Sequence, residues 1–268
     1  MNYRDQRKSW LNLFLSLAIV PTLFLVVAGL QWSRLNSLNS GTETQKDLSG
    51  LQIQEKKDIT SLELLRLTPD FGYRNLIANW SFLNFLQYFG NADVRNKIGY
   101  RASPEFFEVI IKNDPYFILS YLYLSTSTSL FAGDPDRAVD LMTQGISTMT
   151  PETPERGYLV WRYMGIDQLL FLGDGEAARE SFATAADWAD QSTLPEAESV
   201  AQASRQTAHF LEQNPTSKAA QISAWVQIAS FAVDNETRRQ AVERIESLGG
   251  EVLADERGRI TVRYRTDE

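Results

Sequence analysis

The chain has 268 residues, no cysteine and a single histidine. Without thiols it cannot form disulfides, cysteine nucleophiles, zinc–thiolate sites or iron–sulfur clusters. One imidazole excludes every site that needs two histidines. Basic residues are also outnumbered, with 26 Lys and Arg against 34 Asp and Glu and a net charge of −8. Because phosphate binding requires a basic surface, we expect no nucleic-acid partner.

Catalytic motifs are missing as well. The sequence contains no glycine-rich dinucleotide loop, no P-loop and no nucleophile-elbow motif. His209 has no nucleophile or carboxylate motif beside it, so it is better explained as a structural or surface residue. Asp134-Pro135-Asp136 lacks the later Gly and Glu of a calcium loop and is better explained as a helix turn with an N-cap. We therefore predict no catalytic residue, no cofactor and no metal, in a protein that is not an enzyme.

A long uncharged run is present near the N-terminus. Residues 11–30 carry no charge, and a helix of that length spans about 30 Å, the thickness of a bilayer's hydrocarbon core. Trp10 and Trp32 lie at its two ends, where interfacial aromatic residues belong. We predict a transmembrane helix over residues 10–32, which places this part of the chain in the lipid bilayer. A cleaved signal peptide ending near Ala28 is the alternative, although the run is longer than a signal-peptide core.

Basic residues on the two sides of this segment predict its orientation. Arg4, Arg7 and Lys8 precede it, and Arg34 and Lys46 follow it. The positive-inside rule places the N-terminal tail, residues 1–9, in the cytoplasm and the C-terminal domain on the periplasmic or lumenal side. A cytoplasmic-facing domain is the alternative, because the bias is only three residues against two.

The rest of the chain divides into three parts. Residues 33–60 are polar without a sustained hydrophobic period and predict a flexible linker. Residues 61–249 have a helical pattern interrupted by Pro and Gly at short intervals. Residues 250–268 change to a period of two and predict a terminal β-hairpin and tail. The predicted helices are 71–90, 104–113, 116–132, 135–149, 154–172, 175–190, 195–213, 216–233 and 235–248.

Within the helical part, one pattern recurs after forty residues. Tyr121, Leu124, Ser125, Phe131, Gly133, Asp134 and Ala138 are followed at this spacing by Trp161, Met164, Gly165, Phe171, Gly173, Asp174 and Ala178. The aromatic and aliphatic residues share one face of a helix. The small residue lets a second helix approach closely, and Gly permits a positive φ at the turn between the two helices. The pattern predicts helical hairpins that repeat along the chain.

This pattern resembles the tetratricopeptide repeat (TPR), in which W-x-x-L-G is followed by Ala-x-x-x-aromatic in a second helix. Trp161-x-x-Met164-Gly165 with Ala178-x-x-x-Phe182 carries the resemblance best, and looser copies begin at Tyr121, Trp225 and Trp80. The family's Tyr three positions after the Gly is replaced by Thr128, Gln168 and Ala232, and the spacing is longer than the family's. The resemblance implies an all-α fold, a right-handed TPR-like α–α superhelix, here with an N-terminal transmembrane helix and a C-terminal β-hairpin.

The resemblance also implies a binding groove, because the first helix of each TPR pair lines the concave surface. The positions it would place there are Ser81, Phe85, Tyr88, Leu122, Thr126, Ser129, Arg162, Ile166 and Leu169. Such a surface is mostly apolar with one cation, and it suits a helix or an extended hydrophobic segment. The alternative is that additional helices cover it.

Aromatic residues are concentrated in the predicted helix 71–90. They are Phe71, Tyr73, Trp80, Phe82, Phe85, Tyr88 and Phe89. They cannot all face inward from one stripe of a helix. One interpretation places most of them in the core, and another places some of them on a partner-binding surface.

The anchor, the linker and the repeat domain together predict a membrane-anchored scaffold or assembly factor that binds another protein. The resemblance extends loosely to membrane-anchored repeat proteins that help to assemble photosynthetic complexes in thylakoid membranes, so the expected partner is a membrane protein complex. The alternative function is a permanent structural subunit of such a complex. An acid–base hydrolase would need two carboxylates that face each other in a cleft, and no motif predicts that arrangement.

Overall fold

The computed structural model describes residues 48–67, 69, 72–214, 218–232, 235–254 and 260–264, with positions 21 and 29. The predicted transmembrane segment 10–32 therefore lies outside the described residues apart from those two positions, and the predicted N-terminal tail 1–9 lies entirely outside them. Among the residues that are described, no helix is both long enough and apolar enough to cross a bilayer.

The described part of the chain is mostly helical and ends in a two-stranded sheet, which confirms the predicted secondary-structure class. In chain order the elements are α1 (Leu48–Leu67), α2 (Arg74–Gly90), α3 (Ala92–Ile98), α4 (Ser103–Asn113), α5 (Ile118–Leu124) continued by a first π-helical segment (Ser125–Phe131), α6 (Pro135–Ile146), α7 (Tyr158–Asp167) continued by a second π-helical segment (Gln168–Leu172), α8 (Gly175–Asp190), α9 (Ala197–Gln213), α10 (Lys218–Phe231), α11 (Asn235–Ser247), β1 (Gly250–Ala254) and β2 (Ile260–Tyr264). The strands pair antiparallel, with Val252 opposite Val262.

Helix α1 begins inside the region that the sequence predicts to be a linker. The prediction of a flexible linker is wrong for residues 48–60, which are helical. Leu51 and Leu62 are buried, and Glu55 forms an ion pair with Arg95, 2.8 Å from oxygen to nitrogen. Helix α1 has only a weak amphipathic pattern, and polar contacts of Glu55 with the distant residues Tyr88 and Arg95 add to the packing of its few buried leucines.

Two consecutive hairpins repeat the same local structure forty residues apart. In both, an α-helix widens into a π-helical segment before the turn. Gly133 and Gly173 then adopt φ of +68° and +74°, which a residue without Cβ does at little energetic expense. Asp134 and Asp174 follow and accept a hydrogen bond from a backbone N–H in the first turn of the next helix. The predicted Gly-Asp turns are confirmed.

Close packing within these hairpins depends on a glycine, which lies on the second helix in one hairpin and on the first helix in the other. In the α5–α6 hairpin, a Cβ on Gly145 would lie 1.8 Å from the hydroxyl of Tyr121. In the α7–α8 hairpin, a Cβ on Gly165 would lie 3.1 Å from the ring of Phe182. The aromatic residue therefore comes from the first helix in one hairpin and from the second helix in the other. Both pairs let two helix backbones approach closely.

The C-terminal helices α10 and α11 pack against each other and against the ends of the π-helical segments. The Trp225 indole donates to the Phe171 carbonyl at 3.0 Å, and Arg244 donates to the Leu172 carbonyl at 2.9 Å. Carbonyl groups at the end of a helix have no partner within the helix. These two side chains satisfy them, and the Arg244 cation also complements the negative end of the helix dipole.

Candidate functional site

Charged residues are distributed unequally between the two helices of each hairpin. The second helices are rich in charge, as in α6 with Asp136, Arg137 and Asp140. Helix α5 and the first π-helical segment, which form the first helix of the same hairpin, contain no charged residue. Helix α2 contains one, Arg74, at its first position. Helices α2 and α5 therefore contribute almost no charge to the surface that each of them exposes.

Large apolar side chains lie exposed on these two helices, which carry almost no charge. On α2 they are Leu76, Trp80 and Leu83, whose spacing of four and three residues places them on one side of the helix. On α5 they are Leu119 and Leu122. Trp80 is 61% exposed and Leu83 53%, so neither belongs to the core. We call these five residues the apolar face.

Aromatic side chains of α2 and α5 meet in the core, on the side of α2 opposite Leu76, Trp80 and Leu83. The ring of Phe82 on α2 packs edge-on against Phe117, just before α5, at 4.8 Å between centroids. Phe82 also contacts Tyr123 on α5 at 5.4 Å, and Phe85 contacts the same Tyr123 at 5.9 Å. These buried and half-buried rings link the core-facing sides of the two helices. The aromatic-rich helix α2 therefore supplies both core residues and exposed residues, so each of the two sequence interpretations holds for part of it.

Three of the nine predicted groove residues are not on any surface. Ser81, Phe85 and Ser129 have no exposed area, and their assignment to an open groove is a prediction that the structure contradicts. Phe85 lies among Phe89, Phe106 and Phe107 in the main hydrophobic core. The error concerns which side of each helix faces outward. The sides of α2 and of the first π-helical segment that hold these residues pack against other helices.

Three more predicted groove residues lie against helix α9. Arg162 donates to the hydroxyl of Ser204 at 2.6 Å and lies over the ring of Phe182. Ile166 and Leu169 pack into a cluster that contains Ala208 and Leu211 of α9. The alternative in which an additional helix covers the groove therefore holds for these positions. Their assignment to an open groove is corrected for this part of the chain.

The remaining predicted positions divide between the core edge and the apolar face. Tyr88 is half-buried, and its hydroxyl donates to Glu55 at 3.2 Å and accepts from the Ala102 N–H at 3.1 Å. Burial raises its pKa, although nearby Arg95 opposes the change. Leu122 is exposed, and Thr126 on the same side of the helix is half-buried. Of the nine predicted residues, only Leu122 belongs to the apolar face.

Four residues of the apolar face were missed by the sequence analysis. They are Leu76, Trp80, Leu83 and Leu119. Trp80 matched the position of the repeat's tryptophan and was not placed in the predicted groove, although one interpretation placed some aromatic residues of this helix on a partner-binding surface. The available signal was the spacing of Leu76, Trp80 and Leu83 on the side of α2 opposite Phe82 and Phe85.

A second feature is a buried carboxylate between the two π-helical segments. Asp167 has no exposed area and accepts hydrogen bonds from Ser125 at 2.7 Å and Ser129 at 2.6 Å. Burial raises its pKa to about 6, and the two hydroxyl hydrogen bonds oppose the increase. This arrangement joins consecutive hairpins through a polar contact.

A cavity of about 960 Å³ lies between the Gly-Asp turns and helix α11. Its walls include Asp134, Asp174, Trp225, Glu243 and Arg244. Four of these residues already have structural partners, since Asp134 and Asp174 cap α6 and α8, and Trp225 and Arg244 donate to the Phe171 and Leu172 carbonyls. Within the described ranges, no three His or carboxylate side chains are grouped in a way that could hold a metal ion. Exposed His209 contacts Glu212 at 3.0 Å.

Compared with known proteins, the chain matches no protein-family model, no curated protein and no solved structure. The resemblance of its helical hairpins to tetratricopeptide repeats therefore stays a prediction from the sequence.

Proposed function

We propose that this chain is a membrane-anchored, TPR-like helical-repeat scaffold or assembly factor that binds another protein through the apolar face. The proposal places residues 10–32 in the bilayer, the N-terminal tail in the cytoplasm and the helical domain on the opposite side. The partner is a component of a membrane protein complex, and the role is binding rather than catalysis.

The observation that carries the proposal is the exposure of Trp80, Leu83 and Leu122 on two helices that carry almost no charge of their own. Exposed apolar side chains are common when they are isolated, but Leu76, Trp80 and Leu83 share one side of α2, and grouped exposed apolar residues are typical of an interaction site. Tryptophan in particular is enriched among the residues that dominate binding energy in protein interfaces.

Site-specific photocrosslinking in native membranes tests this function. A photoreactive amino acid replaces Trp80 in the full chain, and Gln144, exposed on α6, receives the same replacement as the matched control. We expect Trp80 to give one discrete crosslinked protein and Gln144 to give none. Crosslinks of equal yield and pattern at both positions, or no protein product at Trp80, would contradict the proposal.

The amount of the crosslinked partner distinguishes the two roles. A permanent structural subunit would co-purify with its complex in a fixed ratio. An assembly factor would be present on a minor fraction of that complex. A fixed one-to-one ratio in purified complexes would therefore favour the structural-subunit alternative.

A further inference from the structure

We infer that helix α1 is a releasable strap, which detaches while the helices beneath it stay folded and thereby uncovers the guanidinium of Arg95. The contacts concerned join α1 to α2, α3 and α4, and the proposed function does not use them. Three features of these contacts support the release of α1: it has few buried residues, polar groups make up much of its attachment, and the residues beneath it have other partners.

Helix α1 buries few of its side chains. Among its 20 residues, all of which the structure describes, only Leu51 and Leu62 are buried, whereas eight of the 11 residues of α4 are. Ile53 and Leu64 are exposed on the side of α1 opposite Leu62. Segments with few buried apolar contacts open locally at a lower free energy than the whole domain. Since tertiary packing supplies most of the stability of a helix, α1 should also lose its helical structure when it detaches.

Polar contacts hold α1 near both of its ends. Glu55 forms the ion pair with Arg95 at 2.8 Å and accepts a hydrogen bond from the Tyr88 hydroxyl at 3.2 Å. Further along α1, Arg66 forms an ion pair with Glu108 of α4. Charged groups regain their hydration when such pairs separate, and this offsets much of the attraction that is lost. Release of α1 should therefore cost less free energy than release of a helix attached by an apolar stripe.

The residues beneath α1 are held in place without it. Arg95 also donates to the Gly99 carbonyl at 2.6 Å, and its guanidinium lies over the Tyr88 ring. Tyr88 in turn accepts from the Ala102 N–H at 3.1 Å and packs against the ring of Phe106, 5.1 Å between centroids. These contacts remain when α1 detaches. Release therefore converts a buried cation into an accessible one that can pair with a carboxylate from outside the chain.

Hydrogen exchange of the full chain in lipid nanodiscs measures the release, with α1 and α4 compared in the same sample. Glu55→Gln weakens the attachment by removing the charge that faces Arg95, and Glu63→Gln at an exposed position of α1 is the matched control. The uncovering of Arg95 is measured separately, as its rate of modification by an arginine-selective dicarbonyl reagent. Exposed Arg156 is the reference for this reaction.

We expect the amides of α1 to exchange about tenfold faster than those of α4, or more, in the natural chain after correction for intrinsic rates. Glu55→Gln should accelerate exchange in α1 by about a further tenfold and leave α4 unchanged, because only the attachment of α1 is weakened. It should also accelerate modification of Arg95 several-fold without affecting Arg156. Glu63→Gln should change none of these rates.

Three outcomes would overturn the inference. Equal exchange rates in α1 and α4 of the natural chain would show that α1 opens only when the whole domain unfolds, and this comparison needs no variant. Equal acceleration of α1 and α4 by Glu55→Gln would show that the two helices are one cooperative unit. Faster exchange in α1 with unchanged modification of Arg95 would show that release does not uncover the cation.

Discussion

Glu55 and Arg95 form an ion pair across two helices, with 2.8 Å between Oε1 and Nη1 and exposed side-chain fractions of only 14% and 4%. Arg95 also donates to the Gly99 carbonyl at 2.6 Å, and its guanidinium lies 3.8 Å from the centre of the Tyr88 ring. The pair therefore joins α1, the first described helix, to a cation that the rest of the domain already holds in place. This contact makes residues 50–60 part of the folded domain.

Removing Glu55 should loosen this attachment strongly. Glu55→Ala leaves the Arg95 guanidinium buried without its counter-ion, and breaking a buried pair in this way typically destabilises a protein by about 3–5 kcal/mol. Urea denaturation followed by circular dichroism measures the change. Lys56→Ala, at the next and exposed position of α1, is the control and should change stability by less than about 0.5 kcal/mol. Equal effects of the two substitutions would show that the ion pair does not hold α1.

The buried Asp167 predicts a specific dependence of stability on pH. Its pKa is raised to about 6 in the folded protein. The folded state therefore binds the proton more tightly than the unfolded state. The stabilisation from this proton is complete below about pH 4, the pKa range of an unfolded Asp, and is lost as the pH rises through about 6.

Asp167→Asn should remove this dependence. We expect the variant to be more stable than the natural chain at pH 7.5, by up to about 3 kcal/mol, and close to it at pH 4.5. Denaturation midpoints across this range, compared with those of Asp187→Asn at an exposed position of α8, isolate the contribution of Asp167. A variant that is less stable than the natural chain at pH 7.5 would contradict the assignment.

The contact between Tyr121 and Gly145 predicts a helix position that does not tolerate alanine. A methyl group on Gly145 would collide with the Tyr121 ring, which is held by a 2.7 Å hydrogen bond from its hydroxyl to the Pro115 carbonyl. Gly145→Ala should therefore destabilise the protein by about 2 kcal/mol, although alanine is the better helix former.

Gly90 provides the matched control for this substitution. It is also helical, and a Cβ there would meet nothing within 4 Å. Gly90→Ala should leave stability unchanged or raise it by up to about 1 kcal/mol. If thermal unfolding showed the same sign for both alanine variants, close packing at Gly145 would not be the cause.

The hydrogen bond from the Trp225 indole to the Phe171 carbonyl should help to hold α10 and α11 against the second π-helical segment. Trp225→Phe retains most of the apolar volume and removes the hydrogen bond to the Phe171 carbonyl, which should lower stability by about 1–3 kcal/mol because that buried carbonyl loses a partner. Hydrogen exchange should become faster in α10 and α11 and stay unchanged in α4. Uniform acceleration throughout the domain would indicate global unfolding instead.

Local signals predicted the hairpins well, because each is encoded within a few residues. Gly133-Asp134 supplies a residue suited to positive φ and a helix cap in adjacent positions, and Gly173-Asp174 repeats it. By contrast, the widening of α5 and α7 into π-helical segments has no such local signature. Distant residues, namely Trp225 and Arg244, contact the end of the second of these segments.

The candidate surface was harder to predict than the helices that form it. Which side of a helix faces outward depends on all the helices that pack against it. Helix α9 covers Arg162 through Ser204, and Phe85 points into a ring of aromatic residues, so neither lies in an open groove. Helix α1 was not predicted because it too depends on contacts between residues far apart in the sequence. Glu55 and Arg95 are forty residues apart.

Thiol accessibility of the apolar face in native membranes tests the central claim most directly. Leu83→Cys and Leu122→Cys each provide the only thiol in the chain, and Gln144→Cys provides a reference outside the face. The rate of modification by a polar maleimide is compared between detergent-permeabilised membranes and purified protein. We predict that both face positions react several-fold more slowly in membranes, while Gln144→Cys reacts equally in the two samples. Equal rate ratios at all three positions would show that the apolar face is unoccupied, and would contradict the account.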